Sequence, residues 1–187
     1  MLTSFEDICR IARKTIRQSY ETDPFRICKA LGIIMLYVPM GNYPEACKGF
    51  FLAQSRKLSI TINSDIPASL QRIICAHELG HARLHRNCSD IKAFHDFALF
   101  DETSHYEYEA NIFAAELLLD DADVLEALND DLSFFQAAQS LRVPAEILDF
   151  KFRIMKQKGY EIVEPPIVSN GNFLKNVDIP ENHDDVY

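Results

Sequence analysis

Residues 77–81 read His-Glu-Leu-Gly-His, an HExxH pattern whose chemistry requires a helix. On an α-helix, residues four positions apart lie about 40° apart around the axis and one turn apart along it. The imidazoles of His77 and His81 can therefore bind one metal ion from the same side. Glu78 lies about 100° round the axis, where its carboxylate can take a proton from water. Because neutral histidine nitrogens suit Zn²⁺, the pattern predicts a Zn²⁺ site with Glu78 as catalytic base.

The residues around this motif favour a metal site over ordinary core histidines. An aliphatic stripe at helical spacing faces the core of a protein, and the two histidines lie on such a stripe. Buried histidines need polar partners, which a bound cation would provide. The alternative is a pair of hydrogen-bonded core histidines with a surface glutamate between them. The aliphatic members of the stripe are Leu70, Ile73, Ile74 and Leu84.

A catalytic zinc site needs a third protein ligand, and three candidates follow from the sequence. Glu107 shares a helical face with Ala110 and Asn111, and small residues there allow close helix packing. Glu109 lies on a more charged face of the same helix and is the second candidate. His85 is the third, although ligands from three consecutive turns of one helix rarely converge. Asn111 can hydrogen-bond a ligand histidine, or it can join the two helices.

Hydrophobic periodicity predicts the other elements of the chain. The predicted helices are 5–20, Pro24 to Gly32, about 65–85, about 105–119, 121–129, 132–141 and 144–158. Ser64 or Asp65 is expected to cap the third of them. The apolar run 33–38 predicts a buried strand, and 49–53 with 58–63 predicts a hairpin. The segment 86–104 is predicted to be irregular, and the tail from 161 to be extended.

The charge balance argues against nucleic acid as a direct partner. The chain has 187 residues, with 28 acidic and 19 basic side chains and a net charge of −9. An acidic protein is repelled by a phosphate backbone unless it carries a local basic patch. Many of the acids fall outside the predicted sheet and metal helix, which favours a basic protein as the partner.

Targeting and cysteine patterns indicate a cytoplasmic location. The first residues do not show the basic and apolar regions of a signal peptide. The longest apolar stretch, 33–40, is too short to span a bilayer, so no membrane association is expected. The five cysteines are odd in number and form no CxxC pair, which favours reduced thiols that are buried or half-buried.

Two blocks of the chain resemble the ImmA/IrrE family of zinc metallopeptidases. The first is Ala76 to His85, with the HExxH motif, and the second is Glu107 to Leu119. The resemblance extends from about Lys48 to Leu119. It implies an α+β fold, a minimal zincin-like core in which a small sheet packs on the HExxH helix and on a glutamate-bearing helix. It also supports Glu107 as third ligand, because the family's glutamate stands four residues before the asparagine.

The resemblance implies a function as well. Family members often act with helix-turn-helix repressors of mobile elements or stress regulons, and they relieve repression by site-specific cleavage of the repressor or by another interaction with it. We therefore expect a zinc endopeptidase with a protein substrate, the oligomeric state being open. One alternative is a zinc-stabilised protein that sequesters a repressor without cutting it. A second is a DNA-binding regulator that acts through 132–152, a segment similar to a helix-turn-helix element, although packing on the core is favoured for it.

These expectations divide the chain into three parts. Residues 1–120 form the metallopeptidase core, 121–159 a helical extension packed on it, and 160–187 an extended tail. An extended substrate could pair with a strand of the 49–63 hairpin by β-augmentation. A side chain near the metal would stabilise the oxyanion. The candidates for that role are His85, His95, Tyr106 and Tyr108.

Overall fold

A computed structural model describes residues 3–43, 45–54, 57–86, 104–129, 132–163 and 165–167. That part of the chain forms seven helices and three strands, so the α+β class is confirmed. The helices are α1 Phe5–Ser19, α2 Pro24–Ala30, α3 Ala68–Leu84, α4 Ser104–Leu118, α5 Asp121–Asn129, α6 Phe134–Ser140 and α7 Ala145–Gln157. The strands are β1 Ile34–Val38, β2 Gly49–Gln54 and β3 Lys57–Asn63.

The predicted helices are all present, with ends that differ by a few residues. Ser4 caps α1 by accepting a hydrogen bond from the backbone of Asp7, because a serine before a helix satisfies an otherwise unpaired N–H group. Gly159 ends the last helix with a φ of 91°, a backbone angle that glycine adopts without strain. Residues 87–103 of the predicted irregular segment lie outside the described residues, and so does the tail from residue 168 onward.

The three strands form a mixed sheet with β3 in the centre. β1 pairs with β3 in parallel and β2 pairs with β3 in antiparallel orientation, in the order β1-β3-β2. Phe51 of β2 lies opposite Ile60 of β3, and both side chains are buried where α3 packs against these strands. The hairpin predicted from 49–63 is thereby confirmed.

The prediction that 33–38 forms a buried strand is wrong in one respect. The strand exists, but it lies at the edge of the sheet, and four of its side chains are between 42 and 54% exposed. An apolar run indicates a strand, yet it does not reveal how many neighbours cover it, because that depends on the order of strands in the sheet. The exposed residues are Ile34, Leu36, Tyr37 and Val38.

The start of α3 also differs from its prediction. The helix begins at Ala68 after Pro67, and no side chain caps its first turn. Asp65 instead accepts a hydrogen bond from the backbone N–H of Gly41, at 2.7 Å. Asn63 accepts from the backbone N–H of Asp65, at 2.9 Å. The polar residues before α3 therefore tie the end of β3 to the loop after β1.

Helices α3 and α4 lie against each other through small residues. Gly80 of α3 faces the backbone of Ala110 in α4, and Ala110 and Ala114 are fully buried. The second face of α4 is buried too, since Glu109 and Glu116 are only 5 and 6% exposed. The more charged face of α4, on which the sequence places Glu109, is therefore packed as well, because α1 and α7 also contact α4.

The helices after α4 join the same core. Ala137 of α6 and Ile147, Leu148 and Phe150 of α7 are buried in one cluster with residues of α3 and the sheet. The buried face of 132–152 thus takes part in packing, and the division of the chain near 120 stays a prediction. Among the described helices, none has the length and apolarity needed to cross a bilayer.

The thiols in the described residues agree with expectation. Cys9, Cys28 and Cys75 are buried free cysteines, and Cys47 is half-buried. Cys28 and Cys75 form a sulfur contact of 3.8 Å between α2 and α3. Cys88 lies outside the described residues.

Candidate metal centre

Three predicted ligand residues meet where α3 and α4 cross. His77 and His81 are 3 and 4% exposed, and their Nε2 atoms lie 3.0 Å apart. Glu107 reaches them from α4, with Oε2 3.1 Å from Nε2 of His77 and Oε1 3.5 Å from Nε2 of His81. One ligand atom from each residue lies within 4.8 Å of the others, so the group could hold a metal ion.

The spacing of these atoms fits a small cation with nitrogen and oxygen ligands. Zinc ligand distances of about 2.0–2.2 Å in a tetrahedron place neighbouring ligand atoms about 3.3 Å apart. The observed separations of 3.0, 3.1 and 3.5 Å lie around that value. Two imidazoles and one carboxylate are also a ligand set found in catalytic zinc sites. The residues present therefore fit Zn²⁺, although the ligand roles stay predictions.

The other ring nitrogen of each histidine is hydrogen-bonded outside the group. Nδ1 of His77 lies 2.8 Å from Oδ1 of Asn111, one turn after Glu107 on α4. The sequence offers two roles for Asn111, and this hydrogen bond fits both, since it joins α3 to α4 and contacts a proposed ligand histidine. Nδ1 of His81 lies 2.9 Å from Nδ1 of His85. His77 and His81 therefore both point Nε2 toward each other and toward Glu107.

Glu78 lies beside this group in a buried position. Its side chain is 8% exposed and is hydrogen-bonded to the backbone of Phe51 in β2. Burial raises the pKa of Glu78, and the nearby His81 and His77 oppose that rise without cancelling it. A carboxylate with a raised pKa is a stronger base than an exposed one, which suits a residue that accepts a proton. The hydrogen bond also ties this glutamate to an edge strand of the sheet.

The charged forms of His77 and Glu107 stabilise each other, although burial opposes both charges. Burial by itself disfavours the charged form of His77, but the hydrogen bond and charge of Glu107 outweigh it and raise the pKa of His77. Burial also opposes the charge of Glu107, yet its hydrogen bonds to His77 and His81 keep the pKa of this carboxyl far below its ordinary range. Glu107 is therefore a carboxylate at neutral pH, the form that binds a cation.

The two other candidates for third ligand pair with each other. Nε2 of His85 lies 2.9 Å from Oε2 of Glu109, and His85 contacts His81 at the ring nitrogen remote from the three-residue group. Both side chains are buried. The structure thus places Glu107 in the group and puts His85 and Glu109 behind it. Sequence reasoning treated these two as rival ligands and missed their contact with each other.

The candidates for the oxyanion role are spread around the site. The ring of Tyr106 packs edge-on against His85, with centroids 4.9 Å apart. Tyr108 packs against Phe150 of α7, and the guanidinium of Arg153 lies over its ring. His95 lies outside the described residues. The oxyanion role therefore stays a prediction for each of these side chains.

The sequence did not predict a second buried cluster, which consists of charged side chains around Glu116. Glu116 of α4 lies 2.8 Å from Nζ of Lys151 in α7, and both side chains are almost fully buried. Arg13 of α1 and Lys158 also contact Glu116. The available signal was the spacing of Glu109 and Glu116, which lie two turns apart on a helix that is rich in apolar residues.

The chain is similar to known proteins over much of its length. The family model of a peptidase family, described as the IrrE N-terminal-like domain, matches residues 28–153. A protein of Bacillus phage phi105, named uncharacterized immunity region protein 2, is 31% identical over 139 residues, 74% of this chain and 85% of the phage protein. Metallopeptidase ImmA of Bacillus subtilis (strain 168) is 34% identical over 83 residues, 43% of this chain and 48% of its own length. The match over most of the chain, with the HExxH helix and the glutamate helix inside it, shows that the chain belongs to the ImmA/IrrE family of peptidases.

Proposed function

We propose that this protein is a zinc-dependent endopeptidase that hydrolyses a peptide bond in a protein substrate. The observation that carries the proposal is the meeting of His77, His81 and Glu107 with buried Glu78 beside them. Two imidazoles and a carboxylate suit Zn²⁺, and a second carboxylate next to them suits a proton-transfer base. Membership of a peptidase family supports the same class of reaction.

The chemistry assigned to Glu78 follows from its position and burial. Bound Zn²⁺ would supply Lewis-acid polarisation of the scissile carbonyl and would lower the pKa of water at the site. Glu78 would take a proton from the attacking water as the water oxygen bonds to the carbonyl carbon. It would then pass that proton to the amide nitrogen as the C–N bond breaks. Burial raises the pKa of Glu78, which makes its carboxylate a stronger base than an exposed glutamate and so supports the first transfer.

Strand β2 is the proposed binding surface for the substrate backbone. In the described residues β2 pairs with β3 on one side and is the edge strand on the other. Phe51 of β2 hydrogen-bonds Glu78, so this strand borders the catalytic carboxylate. An extended peptide that adds to an edge strand gains backbone hydrogen bonds in a defined register. Such pairing would hold a peptide bond close to Glu78.

The proposed substrate is a helix-turn-helix repressor of a mobile element or stress regulon, cleaved at one site in the cytoplasm. The name of the phage relative refers to an immunity region, and the other relative is named Metallopeptidase ImmA. The net charge of −9 supports attraction of a basic, DNA-binding protein. The acidic balance argues against direct DNA binding through 132–152, and much of that segment's apolar surface packs in the core.

The experiment that tests this function uses a helix-turn-helix repressor encoded beside the protein's own gene. The zinc-loaded protein is incubated with the repressor, with and without a chelator, and fragments are identified by mass spectrometry. We expect cleavage at one peptide bond, its loss with chelator and its return on adding Zn²⁺. A stable complex without fragments would instead support the alternative, a regulator that sequesters the repressor without cutting it.

A further inference from the structure

A chain of buried hydrogen bonds extends behind the candidate metal centre. Nδ1 of His81 lies 2.9 Å from Nδ1 of His85, and Nε2 of His85 lies 2.9 Å from Oε2 of Glu109. The other oxygen of Glu109 accepts a hydrogen bond from the backbone N–H of Thr3, at 2.9 Å. His85 and Glu109 are 1 and 5% exposed. The chain thus connects α3, α4 and the residues before α1.

The donors and acceptors of this chain fit one arrangement of protons. The carboxylate of Glu109 can only accept, so it accepts from Thr3 on one oxygen and from Nε2–H of His85 on the other. A neutral His85 with its proton on Nε2 has Nδ1 as an acceptor. His81 must then donate from Nδ1–H, which leaves the lone pair on its Nε2. That Nε2 is the atom 3.0 Å from Nε2 of His77.

His77 reaches the same state by a simpler route. Its Nδ1 faces the amide oxygen of Asn111, which can only accept, so in the neutral form of His77, the form that binds a cation, the lone pair is on Nε2. The two ligand histidines therefore have different supports: an amide behind His77, and a histidine–carboxylate pair behind His81. Tyr106 packs edge-on against His85 and covers the ring of that second support.

We infer that His85 and Glu109 are positioning residues that fix the tautomer and orientation of His81, so that its Nε2 is presented to the cation. The inference rests on the proposed metal centre at His77, His81 and Glu107. His85 contacts His81 at Nδ1, on the far side of its ring from Nε2, and Glu109 contacts His85, so both residues would act through His81. The backbone of Thr3 anchors the outer end of the chain by holding Glu109 in place.

Zn²⁺ affinity tests the inference apart from activity. The full chain and its variants are stripped of metal and titrated with Zn²⁺ against a chelating dye. Loss of a hydrogen-bond partner behind a ligand histidine lowers metal affinity about 10- to 100-fold, and we expect that loss for His85→Ala and for Glu109→Ala. His85→Gln is expected to recover much of the affinity, because its amide oxygen can accept from Nδ1–H of His81 as Asn111 does for His77.

Cobalt spectroscopy and a matched control separate positioning from general stability. Co²⁺ bound to His85→Ala is expected to show a shifted visible absorption spectrum, since one ligand imidazole is free to turn. Glu116→Gln removes another buried carboxylate of α4 that lies in a different cluster. This control is expected to lower the melting temperature of the metal-free protein while leaving Zn²⁺ affinity and the Co²⁺ spectrum unchanged.

The outcomes distinguish this inference from the proposed function. Wild-type affinity and spectrum in His85→Ala would overturn the inference, and so would equal losses in His85→Gln and His85→Ala. If His85→Ala does not fold, the Zn²⁺ affinities of Glu109→Ala and His85→Gln are compared with that of wild type. Wild-type affinity in Glu109→Ala, or equal losses in the two variants, would then overturn the inference. A wild-type chain that binds Zn²⁺ tightly without cutting any repressor would contradict the proposed function alone. A wild-type chain that binds no Zn²⁺ would contradict both.

Discussion

Gly80 of α3 lies directly against the backbone of Ala110 in α4. A β-carbon at residue 80 would be 3.2 Å from both the Cα and the carbonyl oxygen of Ala110. This contact lies between His77 and His81 on one helix and Glu107 on the other, so the distance between the two helices at this point sets the distance between the proposed ligands. Glycine at the second x position of HExxH is thus part of the site's geometry.

The first prediction concerns this contact. Helix propensity favours alanine over glycine by about 1 kcal/mol, but overpacking against a backbone costs about 1–3 kcal/mol. We expect Gly80→Ala to lower the free energy of unfolding by about 1 kcal/mol net and to weaken Zn²⁺ binding, and Gly80→Val to do more of both. Urea unfolding and zinc titration measure the two effects. A Gly80→Ala protein more stable than wild type would contradict the packing argument.

The second prediction concerns the buried pair of Glu116 and Lys151. Removing one partner of a buried ion pair leaves an uncompensated charge and costs about 3–5 kcal/mol. We expect Glu116→Gln to cost about 3 kcal/mol, because among the described residues Asp121 is then the remaining carboxylate in contact with Lys151. The matched control is Lys158→Ala, whose side chain is 24% exposed and whose loss should cost about 1 kcal/mol or less. Equal losses in urea unfolding would contradict this assignment.

The third prediction is a pH dependence at Asp121. Burial tends to raise the pKa of this carboxyl, but hydrogen bonds from Lys151 and Lys158 hold it below its ordinary value of 3.8. A carboxyl with a lowered pKa stabilises the folded state above its ordinary pKa, and that contribution is lost as pH falls through the folded value. Asp121→Asn should therefore destabilise the protein at pH 7, and its difference from wild type should shrink as the pH falls below 3.8.

Urea unfolding of wild type and Asp121→Asn at several pH values measures this change. Glu6→Gln is a suitable control, since Glu6 lies on the first turn of α1 and is not part of the Glu116 cluster. A difference between Asp121→Asn and wild type that stays constant from pH 7 to strong acid would contradict the role given to the two lysines.

The residues that meet in the candidate metal centre could be named from the sequence because their signals are local. The spacing of His77 and His81 is set by one helical turn, and the position of Glu107 relative to Asn111 is set by another. Helix ends followed from single residues such as Ser4, Pro24 and Gly159. These features need little knowledge of what packs against each helix.

The remaining features depend on tertiary packing that no single segment encodes. The exposure of Leu36 depends on β1 having β3 on one side only, which is a property of strand order. The burial of Glu109 and Glu116 depends on α1, α3 and α7 all surrounding α4. From the sequence alone a charged residue on a helix is predicted to be exposed, because charged side chains are rarely buried without a partner. For this reason the sequence could name His85 and Glu109 as candidates but could not pair them.

The proposed mechanism assigns the proton transfer of a zinc-dependent cleavage to Glu78, and the substitution Glu78→Gln tests that role. Glutamine keeps the size of the side chain and removes its ability to take a proton, while His77, His81 and Glu107 are unchanged. The measurement compares zinc content and the rate of repressor cleavage for the two zinc-loaded proteins. We predict wild-type zinc content in Glu78→Gln and a cleavage rate at least about 100-fold lower. Cleavage by Glu78→Gln at the wild-type rate would contradict the mechanism.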